Sequence, residues 1–208
     1  MAARFNLKKG DRFTLKKSEG LSNLTVSLGW KCGEKADLDV SAFLLGEDGV
    51  ILNDADFVFY NSENREEDFS REKFGNKKVW RQKMRPVSHD GSVIGSIDDV
   101  ADDEEGEEAG EEMQVNLNKT DGKITEIVFC VSIHEERVTF EKVKDAFISI
   151  INDDNGEELC RYNLKERFKH ETAVVAGRLL CDEEGEWTFE AVGDAFTGGM
   201  QALIDIYA

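Results

Sequence analysis

The sequence predicts an all-β fold, a two-sheet β-sandwich of about ten strands with short helical turns and a short C-terminal helix. Three observations carry this expectation. Short apolar runs alternate with polar residues and are bounded by turn-forming glycine, asparagine and aspartate. Asn155-Gly156 stands between two such runs, and that dipeptide is the strongest short-range hairpin signal. Helical spacing is confined to brief stretches, the clearest being Met200, Leu203 and Ile204 near the end.

Taken in order, Phe5 to Leu15 alternates weakly around a Gly10-Asp11 turn and reads as a starting hairpin. Leu24 to Trp30 is a strand by alternation, and Gly33-Glu34-Lys35 turns the chain into a second, Ala36 to Leu45. Val50 to Leu52 reads as a short strand, followed by an acidic lead-in and the aromatic run Phe57 to Tyr60. Strands resume with Met113, Val115 and Leu117, then Ile124 to Ile133, dense enough for a central position. Thr139 to Lys144 suits a short helix or turn. Ala146 to Ile151 and Leu159 to Leu164 form the hairpin around Asn155-Gly156, and Thr172 to Leu180 and Glu186 to Val192 complete the count.

Residues 63–112 break the pattern, so the chain reads as one domain, 1–208, with a charged insertion. Between Arg71 and Arg85 stand seven basic residues and one acidic, with Phe74 and Trp80 among them; from Asp98 to Glu112 stand ten acidic residues and no basic one. The default reading of that acidic run is a solvated loop. The formal charge of −18 opposes a grip on nucleic-acid phosphates and suits a protein that collects cations. Four widely separated cysteines without a Cys-x-x-Cys pair disfavour zinc and thioredoxin-type sites and fit reduced thiols near a core. With neither a secretory signal nor a membrane-span-length apolar run, the expected location is cytoplasmic. Catalytic signatures are missing: His89, His134 and His170 are scattered, and no nucleophile elbow, phosphate loop or His-Glu-x-x-His occurs.

Chemistry concentrates in paired carboxylates. In a strand, Asp37, Asp39 and Ser41 share one face, an arrangement that repels itself unless a cation joins it. Asp54 and Asp56 repeat the theme ahead of Phe57, and Asn61 ends that run with a carbonyl donor. Asp153 and Asp154 offer carboxylates too, although Asn152-Asp153-Asp154-Asn155-Gly156 is also good hairpin chemistry without a metal. The other reading of Asp37 and Asp39 is a charged, solvent-facing strand edge. Oxygen donors of mixed type suit calcium better than magnesium, which demands a compact octahedron. An EF-hand is excluded, because Ala42 occupies the place of the required glycine.

Together the motifs resemble the TerD family of tellurite-resistance and chemical-stress proteins. The likeness rests on Leu28-Gly29-Trp30, on Asp37 to Leu45, on Asp54 to Asn61, on Asn152 to Asn155 with Arg161 to Leu164, and on Glu171-Thr172-Ala173 with Gly185-Glu186-Trp187. It implies a calcium-binding β-sandwich without enzymatic activity. The family's Asp-Asp-Glu element has two candidates, Asp102-Asp103-Glu104 and the position of Glu111, while His89-Asp90-Gly91-Ser92 stands roughly where Gly-Asp-Asn is expected. The expected ligands are therefore Asp37, Asp39, Asp56, Asn61, Asp102, Asp103, Glu111, Asp153 and Asp154, around Ca²⁺. Expected partners are other proteins on a scaffold surface, including at a membrane face, with no direct nucleic-acid contact. The competing expectation is a metal-independent interaction module that uses the basic 71–85 and acidic 98–112 segments.

Overall fold

The computed structural model describes residues 4–32, 38–66, 83–96, 108–133, 138–164 and 168–208. Asp37, Asp102 and Asp103 lie outside these residues, as does most of the basic stretch. Twelve strands are present among the described residues, in two sheets of six. In chain order they are β1 (Phe5–Leu7), β2 (Arg12–Leu15), β3 (Asn23–Cys32), β4 (Leu38–Leu45), β5 (Phe57–Val58) and β6 (Val93–Ile94), then β7 (Glu108–Asn116), β8 (Glu126–Ile133), β9 (Val143–Asn152), β10 (Glu157–Asn163), β11 (Ala173–Cys181) and β12 (Trp187–Phe196). A helix, α1 (Gly199–Tyr207), ends the chain. One sheet has the order β1-β10-β9-β3-β7-β6 and the other β2-β12-β11-β8-β4-β5.

Alternation drives the layering. Leu24, Val26 and Leu28 of β3, Met113 and Val115 of β7, and Ile148 and Ile150 of β9 point inward to meet Val40, Ala42 and Leu44 of β4 and Ile127, Phe129 and Val131 of β8. The expected β9–β10 hairpin forms, with Gly156 at φ 70°, the left-handed conformation that favours glycine. Thr139 to Lys144 contains a short 3₁₀ turn, Phe140–Lys142, as the pattern suggested.

Several expectations are corrected. Phe5 to Leu15 is no hairpin: β1 pairs in parallel with β10, whereas β2 joins the other sheet beside β12. Weak alternation fixes two extended segments but not their partners, and each closes the open edge of a different sheet. Val50 to Leu52 contributes only an isolated bridge between Leu45 and Ile51. Asp54 to Asp56 is a 3₁₀ turn, started by Asn53, whose side chain accepts the Ala55 amide at 2.9 Å. Asp54 and Asp56 therefore do not share a strand face. The charged region is not all loop, for 84–95 carry β6 and its approach, and Glu108 to Glu112 already belong to β7.

The largest correction concerns β4. Its alternation suggested one wet face, yet all eight residues are buried. Phe43 and Leu45 point away from the inter-sheet core into a second cluster with Val128, Cys130, Val175 and Leu203. Helix α1 roofs that outer face. Thr172 Oγ1 accepts the Gly198 and Gly199 amides at 3.2 and 2.8 Å, anchoring one end, and Ile51 donates to the Tyr207 carbonyl at 2.8 Å at the other. Phe43 stacks on Phe57 with centroids 4.4 Å apart and meets Tyr207 at 5.2 Å.

Candidate metal centre

The two sheets end together at one edge, β5 on one and β6 on the other. Asp56 closes the 3₁₀ turn just before β5 and is only 3% exposed. Asp90 sits in the turn just before β6, and Asp121 lies in the connection from β7 to β8. With Leu52, Asn53, His89, Lys123 and Ile124 these residues line one cavity of about 170 Å³.

The turn builds Asp90 into place. Gly91 takes φ 72°, which reverses the chain within Ser88 to Ser92. Asp90 Oδ1 accepts the Ser88 hydroxyl at 2.7 Å and the Ser92 amide at 2.8 Å, and Oδ2 accepts the Asp121 amide at 2.8 Å. Burial by itself would push the Asp90 carboxyl up, but these donors outweigh it and hold the group below its usual range, as an anion. Asp56 shows the opposite balance. Burial, and then the Asp90 charge, push its carboxyl upward, against the partial relief of His89 and of the Asn53 and His89 amides. One carboxylate is thus fixed as an anion beside a second whose ionisation is penalised.

Asp39 is 8% exposed and lies opposite Ser132 of β8. This rules out the solvent-facing edge for Asp39. The Val40 amide donates to Glu111 Oε2 at 3.1 Å, so Glu111 reaches from β7 across to β4. These two carboxylates approach the same end of β4, next to the undescribed 33–37. Asp39 is about four residues beyond the Phe43–Phe57 pair, roughly 13 Å along the strand from the turn that holds Asp56. Asp39 and Asp56 therefore occupy separate places.

Asn61 lies in the turn after β5, half-buried. Asp153 and Asp154 serve the hairpin: Asp153 accepts the Thr25 hydroxyl at 2.6 Å, and the Asp154 amide donates to Asn152 Oδ1 at 3.0 Å. They stand three strand spacings from β6, about 14 Å from the Asp56–Asp90 cavity. Among the described residues, no three His, Cys, Asp or Glu side chains converge as a ready-made metal site. Asp90 and Asp121 were not singled out as ligands from sequence. The available signals were the Asp-Gly turn at 90–91 and the place of His89-Asp90-Gly91-Ser92 where the family's Gly-Asp-Asn is expected; the meeting of Asp90 with Asp56 across 34 positions depends on sheet closure.

Two six-stranded sheets packed face to face, with one short C-terminal helix, define a β-sandwich protein. The TerD domain model matches residues 3–207, and the chain belongs to the TerD family. It is 33% identical to the tellurium resistance protein TerD of Serratia marcescens, over 97% of this chain and 96% of that protein. It is 35% identical to general stress protein 16U of Bacillus subtilis (strain 168), with the same coverage of each. The fold is shared with a crystal structure of a telluride resistance protein (TerD) homologue from Streptomyces coelicolor A3(2), with TM-score 0.61 and 18% identity over 88% of this chain and 94% of that one. The protein is thus a TerD-type member of a group that includes tellurium-resistance and general stress proteins.

Proposed function

We propose that this chain is a non-enzymatic, calcium-binding scaffold of the stress-response type, with Asp56 and Asp90 at its cation site. The observation that carries the reading is the buried Asp56 carboxylate, held against the Asp90 anion in one cavity. Two such charges in a low-dielectric recess repel, and a hard cation with oxygen ligands is the ordinary remedy. Asp56 and Asp90 would hold it, with Asn53 and Asp121 at the rim; bound Ca²⁺ would supply positive charge that relieves the repulsion. Asp90 is suited to this because its hydrogen bonds keep it ionised and fixed. Asp39 and Glu111 support a second acidic place at the other end of β4. The inter-sheet core is built from apolar side chains of both sheets, which favours a folded metal-free state. The scaffold part of the proposal rests on the absence of catalytic motifs in the sequence and on the relatives' stress-protein names.

Thermal unfolding of chelator-stripped protein tests this. Calcium at about a hundred times its dissociation constant adds roughly 2.7 kcal/mol of stability. The expected result is a rise in Tm that chelator reverses and that Asp56→Asn removes. A curve indifferent to calcium would overturn the reading. The Asp39→Asn, Glu111→Gln pair asks the same of the second place.

A further inference from the structure

β5 and β6 belong to different sheets, and among the described residues the segments that carry Asp56 and Asp90 meet in a single antiparallel bridge, Arg65 to Pro86, where the Glu66 amide donates to the Arg85 carbonyl at 3.1 Å. Side chains reinforce that bridge as a short clasp. After β5 the chain runs through Tyr60 and Ser62 to Asn64 and Arg65; before Asp90 it runs from Met84 through Pro86 to Ser88. The Asn64 side-chain amide donates to the carbonyls of Val87 at 2.8 Å and Ser88 at 3.1 Å, and the Val87 amide returns a bond to the Asn64 carbonyl at 3.1 Å. Arg65 is 7% exposed. Its guanidinium donates to Ser62 O at 3.0 Å and to the carbonyls of Tyr60 and Met84, so one planar fork spans both segments. Glu66 and Arg85 finish the clasp with a two-bond ion pair at 3.0 and 2.7 Å. Ser88, held by Asn64, then gives its hydroxyl to Asp90 at 2.7 Å.

We infer that Asn64 and Arg65 are positioning residues for the cation site: they fix the Asp56 and Asp90 segments relative to one another beside the cavity that both carboxylates line. The inference rests on the proposed calcium reading. Residues 67–82 separate the two segments in sequence and β5 and β6 are only two residues each, so the side chains add to that single backbone bridge. A guanidinium suits this task because its planar fork reaches carbonyls of both segments at once.

Calorimetric titration with calcium of metal-stripped wild type, Asn64→Leu and Arg65→Lys tests the inference, alongside urea unfolding in chelator and hydrogen exchange at the Ser92 amide. Asn64→Leu keeps size but removes the donors to Val87 and Ser88; Arg65→Lys removes the fork. The expected result is calcium affinity weakened at least tenfold in both variants and faster exchange at Ser92, with cooperative unfolding retained. Should Arg65→Lys fail to fold, Asn64→Leu decides alone. Wild-type affinity in a folded Asn64→Leu variant overturns the positioning role while leaving the calcium reading intact. A wild type that binds no calcium overturns both.

Discussion

Replacing the Asp56 carboxylate by an amide separates its two effects. In chelator the wild-type group bears the cost of burial beside Asp90, so Asp56→Asn is expected to stabilise the metal-free protein by about 1 kcal/mol, which for a chain of this size is a Tm gain of about 2–4 °C. In calcium the order reverses, since the variant loses the cation-induced rise. The pH dependence follows the same sign: a carboxyl whose folded pKa is raised gives stability as pH falls through that value, and takes it away as pH rises. Glu190 behaves in the opposite sense. Burial alone would raise it, but Arg178 at 2.9 Å and Arg12 at 2.6 Å outweigh that and hold it low. Its contribution is full above the ordinary carboxylate range and is lost as pH falls through the depressed folded value. Glu190→Gln is therefore expected to cost about 1 kcal/mol at pH 7, the guanidiniums being partly solvent-screened. Urea midpoints across an acid series should show that gap closing at low pH.

Among the elements, β4 shows what alternation can and cannot say. The inward row Val40, Ala42 and Leu44 was legible because period two is a local property. The burial of Phe43 was not, since it depends on α1 folding back over the outer face. The hairpin at Asn155-Gly156 was legible for the same local reason; beside it Asp153 accepts the Thr25 hydroxyl and the Asp154 amide donates to Asn152. Asp90 was legible only as a departure from the Gly-Asp-Asn element, because its place beside Asp56 depends on where the β5 and β6 edges meet. The roof itself can be tested. Leu203 is fully buried against Phe43, Val128 and Val175, so Leu203→Ala is expected to cost about 2–5 kcal/mol by urea unfolding. Calcium affinity should be unchanged, because the helix touches the outer face rather than the cavity lining.

For the whole molecule, a formal charge of −18 is a self-repulsion that bound cations would lower. Glu66 and Arg85, which flank residues 67–82 in sequence, form an ion pair at 2.7 Å. Replacing residues 67–82 by a short Gly-Ser link should therefore leave calcium binding in place. If such a variant loses a protein partner yet keeps calcium, the interaction-module expectation gains the partner while the cation site stands. The most direct measurement is calorimetric titration of metal-stripped wild type and Asp56→Asn with calcium and with magnesium. The account predicts saturable calcium heat in the wild type, weaker magnesium binding, and loss of the Asp56 component in the variant. Equal calcium binding by both proteins, or none by the wild type, would contradict it.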